Sequence, residues 1–256
     1  MLKEHFLTFV INLKESTDRK IYMENLLASF DFLDVVFVEA IDGRIMTKEE
    51  ISLEFDESLA LKRYGRSLGR GEIGCTLSHY KCYKKLLESD KQYALILEDD
   101  ITLIKDVSII KHLISIVDVN LPVCLLLSGD YWMYRKKKVF NDFFCVDVFD
   151  AVGAYAYIIN RTAASLLLKA NECPGCVSDS WYLSRKQGVK LKAIYPYLID
   201  ANIESFQSTI KQTYFGQCRK NMPWNLKLFS YWEGIVKRII LLNGGFVSKI
   251  RKKQID

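Results

Sequence analysis

Four short runs constrain the architecture before anything else does: FLTFVINL at 6–13, VVFVEAI at 35–41, YALIL at 93–97 and VCLLL at 123–127. Each is dense in residues that favour strands, and several carry apolar side chains on both faces of an extended chain. Such a strand must be covered on both sides, which is the situation of parallel sheets wrapped by helices. Helical spacing fills the intervals. Residues 20–30 place Ile21, Met23, Leu26, Leu27 and Phe30 at helical intervals, and 72–89 place Ile73, Leu77, Tyr80, Tyr83, Leu86 and Leu87 on one side. Further helices are expected from Thr47, over 107–117, 162–170 and 179–187, and further strands over 154–159 and 189–195. Strands and helices alternate, which predicts an α/β chain with a mainly parallel central sheet. Residues 56–70 hold Arg63, Gly65, Arg66, Gly69 and Arg70 with little apolar periodicity, so a mobile basic loop is expected there.

The 256 residues, half of them hydrophobic, supply one large core. No window of 18 uncharged apolar residues exists, so no membrane-spanning helix is expected. The start, MLKEHFLTFVINLKES, has neither a basic leader nor a small-residue cleavage site, and no secretory signal is expected. The 7 cysteines are an odd number and read as reduced thiols of a cytoplasmic protein. Cys173-Pro-Gly-Cys176 lacks a second such pair or a nearby histidine to complete a zinc site, and is expected to be a turn with two thiols. The net charge of +5 is uneven: from residue 219 onward nine Lys/Arg face only Glu233 and Asp256, a local +7. Residues 219–256 are therefore set apart as a basic amphipathic segment from a domain at 1–218. Its YWEGIVKRIILLNGGFVSKIRKK suits either a helix lying on anionic lipid or one packed on the domain. No nucleic-acid partner is expected.

Three predicted strands end in polar residues: Asn12, Asp42 and the run Glu98-Asp99-Asp100. Ligands of open α/β sheets bind outside the carboxyl ends of strands. Glu98 and Asp100 are two apart, so in extended chain they point the same way. Carboxylate oxygens so placed suit a hard divalent cation shared with a diphosphate; a solvated acidic turn is the other reading. Just upstream, GEIGCTLSH at 71–79 starts a helix on glycines and puts Ser78 and His79 about two turns along. A lone helical histidine is as well read as a structural hydrogen bonder.

INLKESTDRK near the N-terminus, IDGR at 41–44, GEIGCTLSHYKCYKKLL at 71–87 and YALILEDDI at 93–101 together resemble glycosyltransferase family 25. The likeness continues more weakly through GAYAYIINRTAASLL and VSDSWYL and ends near 207–210. The resemblance implies a GT-A type, Rossmann-like nucleotide-sugar fold. It implies inverting transfer of galactose from UDP-galactose to a lipooligosaccharide acceptor, in a β linkage of which β-1,4 is one option, on the inner face of a bacterial inner membrane. It implies Mn²⁺ or Mg²⁺ on Asp100 with Glu98 or Asp99 assisting, Glu98 alternatively accepting from the ribose. Asn12, Leu13 and Arg19 match the family's first-strand motif and would lie against the uridine and a phosphate, with Asp42 and Asp99 on the same donor side. Ser78 and His79 match its S-H pair, facing nucleotide or metal. Arg63, Arg66 and Arg70 would fold over the donor, or are simply solvated.

An inverting transferase needs a carboxylate to take the acceptor proton. Asp179 in VSDSWYL matches the family's acidic position; its other reading is a helix N-cap. Asp130 and Asp150 are the next candidates, and Tyr131, Trp132, Tyr155 and Trp181 are candidate sugar platforms. Asn202, Gln207 or water would supply a third metal ligand. Two other functions fit less well: an inactive nucleotide- or glycan-binding homologue, and a metal-dependent sugar-nucleotide hydrolase or nucleotidyltransferase.

Overall fold

β1 (Phe6–Asn12) is buried along its whole length, as a strand apolar on both faces must be. In the computed structural model, which describes residues 5–113, 116–117, 120–202 and 224–248, it sits inside the sheet. Its parallel neighbours are β2 (Leu33–Glu39) and β3 (Tyr93–Glu98). α1 (Thr17–Leu27) crosses between β1 and β2, while α2 (Lys48–Glu54), α3 (Glu57–Tyr64) and α4 (Arg70–Glu88) separate β2 from β3. Beyond β3 come β4 (Ile101–Leu103), a 3₁₀ turn at Val107–Ile109, α5 (Ile110–Leu113) and β5 (Val123–Leu126). β6 (Asp130–Phe140) and β7 (Phe143–Val152) form a long hairpin. β8 (Ala156–Asn160), α6 (Arg161–Ala170), α7 (Trp181–Lys186), β9 (Lys190–Tyr195), β10 (Ile199–Ala201), α8 (Trp224–Leu242) and β11 (Phe246–Ser248) complete the described chain.

The main sheet has nine strands in the order β11-β6-β7-β9-β5-β8-β3-β1-β2, with β4 and β10 paired separately. The pairings run β1, β2, β3, β5, β6 and β9 one way and β7, β8 and β11 the other. The sheet is thus mostly parallel in strand direction, as the apolar runs predict. The reversed β8 is inserted between β3 and β5. Both faces are covered. Leu7, Phe9 and Ile11 of β1 join a core with Tyr83 and Leu86 of α4 and Ala163 and Leu167 of α6. Phe6 and Val10 join the opposite core with Met23 and Leu27 of α1 and Ile110 and Leu113 of α5.

The expectation of a mobile basic loop at 56–70 is wrong. Asp56 caps α3 by accepting from the Leu59 amide at 2.8 Å, and Gly65 ends the helix at φ +66. Ala60 and Leu68 bury with Ile51, Phe55, Ile73 and Leu77 in a small separate core. The three arginines are engaged: Arg63 donates to Gly175 O, Arg66 pairs with both oxygens of Glu72, and Arg70 donates to Met46 O. The helix expected over 107–117 is a 3₁₀ turn followed by one short helix as far as Leu113, and the β6–β7 hairpin had no counterpart in the predicted elements. Cys173 and Cys176 are both free thiols, on a stretch with no regular secondary structure. The segment set apart at 219–256 is described from Trp224 to Ser248. There it rejoins the main sheet, since β11 pairs antiparallel with β6, and Lys237 of α8 ion-pairs with Asp150 of β7 at 2.7 Å.

Candidate active site

β1 and β3 run side by side with Ile11 opposite Glu98, so their carboxyl ends open at one edge. Asn12 and the three acids arrive there together. Asp99 is nearly buried, at 8% exposure, and both its oxygens are taken: Asn12 Nδ2 donates to one at 2.7 Å and an Arg19 guanidinium nitrogen to the other at 2.8 Å. Asn12 also donates to Ser16 O, which fixes the turn into α1. Asn12 and Asp99 are therefore frame residues of this edge; their polar groups face each other. The same Arg19 nitrogen lies 3.2 Å from Asp100 Oδ2. Burial opposes the charge of Arg19, but its bond and proximity to Asp99, and then the charge of Asp100, outweigh that and raise its pKa.

Asp100 stands differently. Its Oδ1 is buried and has no hydrogen-bond partner among the described residues. Burial first, and then the charge of Glu98, push its carboxyl up to about 6, against the pull of Arg19. Burial of a carboxylate oxygen favours a cation beside it. The oxygen pair Asp100 and Glu98 fits the hard dication that the family resemblance implies, and would hold it.

α4 brings a third wall. Gly74 meets the β2 turn so closely that a Cβ would fall 2.4 Å from Ile41 O, and one on Gly43 would fall 2.0 Å from Arg70 O. Only glycine permits this approach. Ser78 consolidates it: its hydroxyl donates to Gly74 O and accepts from Ile41 N, so it locks the helix to the turn and has no donor left for a nucleotide. His79 is 1% exposed. Its Nδ1 bonds the Tyr157 hydroxyl at 2.7 Å, and Tyr157 in turn bonds Tyr83 at 2.9 Å. Its Nε2 has no hydrogen-bond partner among the described residues and lies 3.4 Å from Glu98 Oε1. Cys75 joins them: ligand atoms of Cys75, His79 and Glu98 lie within 4.8 Å of one another. Burial raises the Cys75 thiol well above its ordinary range, which keeps it protonated. Sequence reasoning missed Cys75. The signal was its i, i+4 spacing from His79 on α4, which puts both on one face.

These groups surround a cleft of about 110 Å³ lined by Leu13, Arg19, Asp42, His79, Glu98 and Asp100 among others. Asp42 lies at its rim, where both its oxygens take Arg44; those bonds hold its carboxyl below the usual range. Arg63, Arg66 and Arg70 are not among the lining residues. Asn202, a candidate third ligand, donates its backbone N–H to Asp100 O and its side chain to the Tyr22 hydroxyl. Gln207 lies outside the described residues.

Asp179 lies next to the cleft without lining it. Ser180, not Asp179, is the N-cap of α7. The Asp179 carboxylate accepts from the Gly153 amide at 2.9 Å, and Trp181 Nε1 donates to Gly153 O at 2.8 Å. Burial raises the Asp179 carboxyl, the Gly153 bond opposes this, and the charge of Glu98 adds to it. The neighbouring Ser178 hydroxyl contacts Cys75 Sγ at 3.2 Å, which ties this loop to α4. Two expected sugar platforms are core instead: Trp181 is 1% exposed and Tyr131 fully buried. Asp150, a secondary candidate base, is held by Lys237, whose ammonium also sits 4.0 Å over the Trp132 ring.

The family model described as glycosyltransferase family 25 (LPS biosynthesis protein) matches residues 6–180, which contain every group placed at this edge apart from Asn202. The chain belongs to glycosyltransferase family 25. Among curated relatives of this family, procollagen galactosyltransferase 2 of Homo sapiens is 36% identical over 96 residues, 36% of this chain and 15% of that protein. A glycosyltransferase 25 family member of Aedes aegypti is 37% identical over 98 residues, 36% of this chain and 16% of that protein. The chain thus aligns with less than a fifth of the length of either relative. The solved structure of A197 from STIV is similar at a TM-score of 0.42 and 14% identity, covering 74% of this chain and 81% of that one.

Proposed function

We propose that this family 25 protein is a metal-dependent inverting galactosyltransferase. It takes galactose from UDP-galactose and adds it, in a β linkage, to a lipid-linked oligosaccharide of the lipooligosaccharide type. The observation that carries the reading is the unpartnered, buried Asp100 Oδ1 beside Glu98, in a cleft that Arg19 and His79 also line. Bound there, Mn²⁺ or Mg²⁺ would neutralise charge on the departing nucleoside diphosphate. Leu13 offers apolar contact to the base. Arg19 holds Asp99 and Asp100 in register, so the acids keep their aim with the donor absent. Asp179 takes the proton from the acceptor hydroxyl as that oxygen attacks the anomeric carbon and the sugar–phosphate bond breaks. Its raised pKa suits the role, since a base poised nearer neutrality is the stronger proton acceptor.

Thermal unfolding with UDP-galactose, with and without Mn²⁺, tests the donor reading. At a ligand concentration about a hundredfold above Kd, binding stabilises the native state by roughly 2.7 kcal/mol. For a chain of this size that is a rise in Tm of several degrees. The rise should require Mn²⁺ and should vanish in Asp100→Asn. A UDP-galactose shift of equal size with and without Mn²⁺ removes the metal role of Asp100.

The proposed location is the cytoplasmic face of the inner membrane, reached peripherally. No helix among the described residues is long and apolar enough to cross a membrane. α8 instead exposes Trp224 at 77%, Tyr231, Trp232 and Leu242 at 86%, which supports an interfacial helix. The protein should co-sediment with anionic vesicles and not with neutral ones, and Trp232→Ala with Leu242→Ala should weaken this. Equal recovery on both vesicle types, or with both residues replaced, would remove the membrane role.

A further inference from the structure

A second concavity, about 590 Å³ in volume, shares no lining residue with the cleft. It is built on the β6–β7 hairpin and β9. Arg135, Lys136, Lys137 and Lys138 of β6 and Lys192 of β9 line it, against a single carboxylate, Asp147. Lys136 carries its ammonium over the rings of Phe144, Tyr195 and Phe246, none of which lines the hollow, so four cations and one anion leave it three charges positive. Asp147 is already engaged, 3.2 Å from Lys192 and 3.7 Å from Arg135. No carboxylate among the described residues pairs with Lys137 or Lys138.

The backbone is bent to gather these charges. In a regular strand Arg135 and Lys137 point to one face and Lys136 and Lys138 to the other. Here register shifts fall between Tyr134 and Lys136 and between Lys138 and Phe140, and Arg135 takes φ +50. Bulges of this kind re-aim side chains, and a non-glycine residue at positive φ is strained. Arg135, Lys137 and Lys138 all line the one hollow. Lysines also guard edge strands, and among the described residues β11 pairs with β6 from Tyr131 to Met133. Edge protection explains neither Lys192 on an interior strand nor the concave shape. Leu113, Ile116 and Phe140 give the hollow an apolar side.

We propose that this groove binds a phosphate monoester, with the lysines on the dianionic phosphate and the apolar side against the carbon of the ester. Lysine ammoniums act as compact charges that suit phosphate oxygens, and a hollow lined by one sign of charge focuses its field. The inference stands apart from the reading of the cleft. The ester could be carried by a sugar or by a lipid head group, and two soluble probes separate these sources.

The full chain, without divalent cations, is titrated calorimetrically with glucose 6-phosphate and with monomeric dihexanoyl phosphatidate. One or both should bind, and more weakly as salt rises. Lys137→Ala with Lys138→Ala should weaken binding about tenfold or more, as loss of two charge-assisted contacts implies. Lys137→Arg with Lys138→Arg should restore most of it. The control pair Lys48→Ala with Lys62→Ala, exposed on α2 and α3, should leave it unchanged. Binding of glucose 6-phosphate alone assigns a sugar phosphate, and of phosphatidate alone a lipid; either supports the site. No binding of either probe, equal binding by the double alanine variant, or an equal loss in the control pair overturns it.

Discussion

Asp179→Asn should lower the rate of sugar transfer by about two to four orders of magnitude, the usual worth of general-base catalysis, and leave UDP-galactose binding intact. The substitution preserves shape. The asparagine oxygen can still accept from the Gly153 amide, and Trp181 still bonds Gly153 O, so the loop keeps its anchor. What disappears is the capacity to take a proton. The pH profile distinguishes this from a positioning role. The Asp179 carboxyl is raised by burial, so the wild-type rate should fall as the pH drops through that raised value and protonates the base. In Asp179→Asn this acid limb should be missing from whatever residual rate is left. Steady-state transfer assays over pH, paired with donor titrations, read both quantities. Loss of donor binding, or a retained rate, would remove Asp179 as the base.

The frame of this site was legible in the sequence where local chemistry alone determines it. FVIN, YALILEDD and the turn at Ile41–Gly43 each pair an apolar strand with a polar end, and parallel neighbours bring such ends to one edge. The GEIGCTLSH block was readable as a helix start, and Gly74 turns out to be the point of contact. What depends on distant partners was not legible. Nothing local separates Asp99 from Asp100; the difference is made by Arg19, 80 residues upstream, and by Asn12, which between them occupy Asp99 and leave Asp100 Oδ1 open. Trp181 looked like a sugar platform because its burial is set by Tyr157 and by Gly153, neither close in sequence. The β6–β7 hairpin escaped notice because its register shifts interrupt the alternation by which strands are recognised, and Arg135 to Lys138 present four charges in a row. Residues 56–70 read as a loop because α3 buries little, chiefly Ala60, too few positions for a period.

Removing Arg19 should be the most destabilising single change at this edge, at roughly 3–5 kcal/mol for a buried pair that loses one partner. Its side chain and that of Asp99 are each only 11% exposed, so water screens them poorly. Arg19 is the cation shared by Asp99 and Asp100, and without it three consecutive acids would repel one another with, among the described side chains, only Asn12 donating to them. Arg19→Met keeps most of the apolar stem and removes the charge, so chemical denaturation of this variant isolates the electrostatic part. The dependence on pH has a definite sign. An acid whose folded pKa is raised binds more protons when folded than when unfolded, so its ionisation lowers stability as pH increases. Asp100 already lies at about 6, and loss of Arg19 should push it higher. The variant should therefore lose stability as the pH rises from the ordinary carboxylate range through the raised Asp100 value, regain it on acidification over the same window, and change little above it. Mn²⁺ should recover part of the loss at neutral pH, and so should Asp100→Asn added to Arg19→Met, since each relieves the same repulsion. A loss below about 1 kcal/mol, the range of solvent-exposed ion pairs, would mean that Arg19 does not carry the charge balance of the cleft.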